Sequence, residues 1–224
     1  MVVFSNPENF DLYVSGFLWI LKLTAVSAIF ALIGGVLLAA MRVSPIPVLR
    51  WFGTVWVGIF RNTPLTLIIF FCYFALYSTL GLTLSDDLEI NNFWLGVIGL
   101  SVYTSAFVCE AFRSGINTVP VGQAEAARAI GLTFYQTMTI VILPQAGRAV
   151  IAPLGSILSA LARNTTIVGT IGVVEASSVM KDLINRNGNE VILIFVVFAG
   201  TFAAVLIPMG YFFNWLANRL EVRT

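Results

Sequence analysis

Five stretches of this chain stay apolar for long enough to cross a hydrocarbon layer. A helix needs about 20 mainly apolar residues for that, at about 1.5 Å of rise each across about 30 Å. The stretches lie at about 14–41, 63–80, 93–116, 148–174 and 190–215. The first contains Gly34-Gly35, a small-residue patch that either lets another helix approach closely or is tolerated slack. The apolar region from Trp51 to Leu80 is too long for one simple span, and Arg61-Asn62-Thr63-Pro64 interrupts it. This predicts an interfacial lead-in followed by a span from about Thr63. The fourth span is expected to break near Asn164, and Pro208 to kink the fifth. The pattern predicts an all-α integral membrane protein with five transmembrane helices.

Composition supports this and removes other classes. Hydrophobic residues make up 58% of the chain and charged residues 10%. The mean hydropathy is +0.93, more apolar surface than a soluble core absorbs. A net charge of +1 without a long basic run gives no footprint for nucleic acid. Cys72 and Cys109 lie in apolar runs without a C-x-x-C partner and read as small core side chains. The chain has no histidine, so a Ser-His-Asp triad, an H-E-x-x-H zinc site and a histidine proton relay are all excluded.

Basic residues in short loops set the expected orientation. Arg42, Arg50, Arg113, Arg128, Arg148, Arg219 and Arg223 fall on one side, whereas Lys181 and Arg186 share the other with Asp86, Asp87 and Glu89. The first side is expected to be cytoplasmic, with the N-terminus outside and the C-terminus inside. Residues 1–13 then form an extracytoplasmic segment, 117–147 the largest cytoplasmic loop and 218–224 a cytoplasmic tail. Glu8 and Asp11 precede the first apolar run, unlike the basic start of a secretory signal, so that segment is expected to remain as an anchor.

Within the large loop, Val121 to Tyr135 reads as one helix and Gln136 to Leu143 as a second. Gly131 is able to supply the turn between them, and Pro144 ends the second. Glu125 is expected near the N-terminus of the first helix, where the macrodipole favours a negative charge. Ala126, Ala127 and Ala129 keep its surface shallow. Such a helix either slots into a groove on another protein or lies on lipid headgroups.

The run Glu125-Ala126-Ala127, three residues, Gly131, nine residues, Val141, one residue, Leu143-Pro144 resembles the signature loop of the permease subunits of ABC importers, with Val141 where isoleucine is usual. Phe60-Arg61-Asn62-Thr63-Pro64-Leu65, Cys109 to Ile116, Gly122-Gln123 and Leu143-Pro144-Gln145-Ala146 are similar to the polar amino acid branch of that family. The likeness covers about residues 14–215. It implies the type I permease fold over residues 14–217, at the plasma membrane. It also implies four kinds of partner: an ABC ATPase dimer, a second permease subunit of the same or a different chain, an extracytoplasmic solute-binding protein and an amino acid substrate. Glu125, Ala126, Ala127, Gly131, Leu143 and Pro144 would then form the ATPase-coupling loop. The chain itself is expected to hold no cofactor and not to be an enzyme, with ATP and Mg on the ATPase. Its lysines, Lys22 and Lys181, stand in no P-loop setting.

Charges inside spans need a partner or a purpose. Glu110 and Arg113 are three apart and are expected to pair on one helix face as a structural ion pair. Arg163-Asn164-Thr165-Thr166 puts a cation and three hydrogen-bonding side chains deep in the fourth span, as a candidate substrate pathway. The amino acid branch more often reads Lys-Asp-Thr-Ser there. The carboxylate missing at Asn164 favours an anionic solute such as glutamate, with Arg163 as a forked donor. The alternative is structural, with Thr165 and Thr166 bonding back to their own helix. At the level of function, the alternative is a stand-alone secondary amino acid carrier or channel, against which five spans without a visible inverted repeat argue.

Overall fold

The computed structural model describes residues 2–220, which are helical almost throughout and hold no strand. Helix α1, Pro7–Val43, starts where Asn6 Oδ1 accepts the Glu8 amide at 3.0 Å and Pro7 fills a first-turn position that lacks an acceptor for its amide. It begins well before residue 14. A ring cluster in which Phe4 and Tyr13 both meet Phe198, the latter at 5.1 Å between centroids, holds the N-terminal residues against the last helix. Residues 7–13 are therefore part of the first long helix.

Helix α2, Pro47–Asn62, and helix α3, Leu65–Thr79, meet at a 105° bend. Pro64 explains it: the residue before a proline is pushed out of the helical region, and Thr63 is extended at φ −100°, ψ 129°. Helix α2 buries Gly53 and Val57 and leaves Trp51, Phe52, Val55 and Ile59 exposed as an apolar surface. From Phe71 onward α3 is wound as a π-helix.

Helix α4, Leu88–Asn117, is capped by Asp87, whose carboxylate accepts the Glu89 and Ile90 amides at 2.8 and 3.0 Å. It is the central helix, in contact with α1, α2 and α3. At Gly35 a Cβ would fall 2.3 Å from a methyl of Val108 and 3.0 Å from the Ser105 carbonyl. Only a residue without a side chain lets the α1 and α4 backbones come this close.

A short helix, α5, Val121–Ala129, precedes α6, Phe134–Ile171. Two expectations change here. The first loop helix stops at Ala129 because Gly131 takes φ +89°. The second does not end at Pro144 but runs on as the fourth span. The helix widens to π-winding over Thr137–Ile142 just before the proline, where the ring would otherwise meet the carbonyl four residues back and leave it without a donor. Near Asn164 the chain tightens from α to 3-10 winding over Thr165–Ile171 without leaving the helix, and Gly172 at φ +89° stops it. The connection between the fourth and fifth expected spans, 175–190, contains helix α7, Ala176–Arg186. Helix α8, Val191–Leu220, carries Pro208 in its interior and includes the first three residues of the expected tail. The rest of that tail, with Arg223, lies outside the described residues.

Among the described residues four helices are long and apolar enough to cross a membrane, and the α2–α3 pair makes a fifth crossing if it spans as one bent unit. The main core draws Leu23, Leu65, Ile69, Leu100, Leu161 and Val168 from α1, α3, α4 and α6. Satellite clusters join α7 and α8 to the start of α1, and α2 to its end.

Candidate functional site

The first constellation is the connection between α5 and α6. The Leu132 amide donates to the Ala127 carbonyl at 3.1 Å and the Gly131 amide to the Arg128 carbonyl at 3.0 Å. Together with the positive φ at Gly131 this is a Schellman closure, which satisfies carbonyls left over at the end of α5. Thr133 and Gln136 then start α6 with a reciprocal capping box. Gln145 donates to Gln123 Oε1 at 2.6 Å and so ties α5 to α6, bringing the Gly122-Gln123 and Leu143-Pro144-Gln145-Ala146 stretches together. Ala127 is buried beneath this elbow, whereas Glu125, Ala126 and Gly131 are exposed, as is Ile130 at 79%. Leu143 and Pro144 lie on α6, both exposed. Glu125 is the fifth residue of α5, not in its first turn, so it is beyond the reach of the helix dipole that the sequence reading invoked.

The second constellation surrounds Glu110 on α4. Arg113 donates to Oε2 from Nε and Nη2 at 3.2 and 3.1 Å. Two further guanidiniums arrive from other helices: Arg42 at the end of α1 bonds Oε1, and Arg61 Nη1 lies 3.5 Å from the same oxygen. Arg61 also lies over the Phe107 ring at 5.8 Å. One carboxylate thus faces three cations. The sequence reading found the Arg113 partner through its i,i+3 spacing but missed Arg42 and Arg61, which had been read as loop and lead-in residues.

The third constellation is Arg163 to Thr166. Gly96 packs on Val168 and Gly115 on Val150, so the register of α4 on α6 puts Arg163 level with the middle of α4. Thr165 is fully buried and its hydroxyl donates to the Ala162 carbonyl at 2.8 Å, while the Thr166 hydroxyl donates to the Arg163 carbonyl at 2.9 Å. Asn164 is half-buried and the Arg163 side chain is exposed. Among the described residues nothing forms an ion pair or hydrogen bond with the Arg163 guanidinium. Lys22, another cation within a span, rests over Trp19 at 4.9 Å.

Comparison with known proteins agrees with this architecture. Residues 31–223 match the family described as binding-protein-dependent transport system inner membrane component. The chain is 50% identical over 211 residues to the glutamate transport system permease protein GluC of Corynebacterium glutamicum, with 92% of each chain covered. It is 36% identical over 214 residues to the probable glutamine ABC transporter permease protein GlnM of Bacillus subtilis, covering 96% of this chain and 95% of that one. Among solved structures, an amino acid ABC transporter crystallised with histidines superposes with a TM-score of 0.85 at 25% identity, over 97% of this chain and 98% of that one. The chain belongs to the binding-protein-dependent transport family. It is a multi-pass permease subunit of an ABC importer in the inner membrane, with the type I permease fold. Membership implies partners in general terms: a separate ATPase, a binding protein and a second permease.

Proposed function

We propose that the solute is an acidic amino acid, glutamate, and that the chain carries it inward when an ATPase pair closes on the α5–α6 elbow. The likeness to a glutamate permease along 92% of both chains supports this substrate above all else. Arg163 adds chemical support, as an exposed guanidinium level with the middle of the bundle that needs an anion. Asn164, Thr165 and Thr166 line the same stretch. The two threonine hydroxyls already donate within the helix, so Arg163 supplies the recognition and the threonines hold the 3-10 turn that presents it.

In this reading the elbow is cytoplasmic, the N-terminus outside and the C-terminus inside. ATP and Mg reside on the ATPase, and an extracytoplasmic binding protein delivers glutamate to the permease pair. Glu125 contacts the ATPase electrostatically, Ala126 keeps the docking surface shallow, Ala127 packs beneath the elbow and Gly131 sets the turn. Leu143 and Pro144 continue into the helix that carries Arg163. A displacement at the elbow therefore travels along one continuous helix, α6, to the substrate segment.

The decisive test is a reconstituted complex taking up radiolabelled glutamate. Uptake should require ATP. Gly131→Asp should leave delivery by the binding protein intact and abolish glutamate-stimulated ATP turnover; turnover equal to wild type overturns the coupling role.

A further inference from the structure

The Glu110 cluster does more than close an ion pair. Three guanidiniums on one carboxylate leave two positive charges without a counter-ion inside a membrane protein, where uncompensated charge is costly. Arg42, with its side chain 13% exposed, and Arg113, bonded through two nitrogens, are firmly engaged. Arg61 is the loose member, at 3.5 Å and 45% exposed. Beside it, between the end of α1, the second half of α2 and α4, lies a cleft of about 340 Å³, within the ~300–1,000 Å³ of small-molecule sites.

The walls of this cleft carry both halves of an amino acid's complement. Arg42 and Arg61 offer donors to a carboxylate, and Phe107 forms an aromatic wall. Glu110 is an acceptor for an ammonium. Asn62 is a second one, because its Nδ2 donates to the Gly58 carbonyl at 2.7 Å, which fixes the amide and leaves its Oδ1 to accept. Gly58 itself leaves open space where a side chain would stand. The net charge of the cluster selects against neutral and cationic amino acids.

We infer that this cleft is a second station for the acidic amino acid on its way to the cytoplasm, in which Arg61 exchanges Glu110 for a carboxylate of the solute. The inference rests on the proposed substrate. By the α4–α6 register the station lies about ten residues nearer the elbow end than Arg163, or about 15 Å at about 1.5 Å per residue. Two weak stations in series let a solute leave one by reaching the next, where a single tight site would trap it.

The test is equilibrium binding of radiolabelled glutamate to the permease–ATPase complex in phosphatidylcholine nanodiscs without the binding protein. Wild type should bind two glutamates per permease chain. Arg61→Gln and Arg163→Gln should each lose one, and Arg61→Lys should recover part of the first. Two glutamates retained by Arg61→Gln overturn the station and leave the Arg163 site standing. Loss of a co-purified anionic phospholipid from Arg61→Gln, seen by native mass spectrometry with glutamate unchanged, makes the cleft a lipid headgroup site and also overturns it. Loss of both glutamates that Arg61→Lys does not restore makes Arg61 structural. No binding to wild type at millimolar glutamate removes the substrate reading, and the station with it.

Discussion

Arg163 and the Glu110 cluster are two solutions to the same difficulty, a charge held among membrane helices. At Glu110 three helices bring their arginines to one acceptor, so a single carboxylate ties α1, α2 and α4 together. At Arg163 the chain supplies nothing: the helix satisfies its own threonines and leaves the guanidinium outside. The difference teaches where to look for architecture and where for traffic. A charge whose partners come from elsewhere in the chain holds helices together, and one without partners waits for something the chain does not contain.

The largest effect should come from the paired side of this comparison. Glu110→Gln keeps the shape of the side chain but leaves three guanidiniums without a counter-charge. Because the group is partly exposed, the loss should be about 2–3 kcal/mol, below the ~3–5 kcal/mol of a fully buried broken pair. For a chain of this size that lowers the melting temperature by roughly 5–10 °C, at about 2–4 °C per kcal/mol. A melting temperature within a degree of wild type would mean that the arginines find water or lipid as readily as they find Glu110.

Thr165→Val probes the threonines that present Arg163 and should have a smaller effect. The Thr165 hydroxyl is fully buried and bonded to the Ala162 carbonyl, and valine removes the donor while the carbonyl stays. The expected cost is about 1 kcal/mol, the usual net worth of one such bond. A change beyond twice that in thermal unfolding would mean that the 3-10 segment holds α6 against the core more firmly than one bond accounts for.

The two regions also differ in how far the sequence revealed them. The Arg113–Glu110 pair was readable because a spacing of three puts both on one helix face. Arg42, 68 positions away, was not, since nothing local in a sequence encodes which loop-end arginine a helix crossing brings back. The turn at Gly131 was legible because an isolated glycine after an alanine-rich run has few other uses, whereas the course of α6 through Pro144 was not. A proline reads as a stop, and a π-wound turn that accommodates it leaves no mark in residue type. Helix α7 was obscured by its polar residues, although Ala176, Val179 and Leu183 stand at i, i+3 and i+7. Its cap is a fully buried glutamate, Glu175, which accepts the Ser177 and Ser178 amides and hydroxyls; glutamate is outside the usual set of capping residues.

The smallest effect on stability, and the sharpest on function, should come from Arg163→Gln. An exposed side chain with no partner among the described residues gives up no intramolecular bond when it is replaced. The substitution should therefore stay within about 0.5 kcal/mol of wild type, as surface changes away from special features do. Transport should respond differently, because the forked guanidinium is replaced by an amide that cannot neutralise a carboxylate. The half-saturation for glutamate should rise at least tenfold, about 1.4 kcal/mol of lost interaction, with the ATP turnover of the unloaded complex unchanged. Should the melting temperature of the assembled complex drop by more than about 4 °C instead, a full kcal/mol or more for a chain of this size, Arg163 would have a structural partner supplied by the second permease. It would then belong with Glu110, as a charge that holds helices together, and the distinction between architecture and traffic would fall.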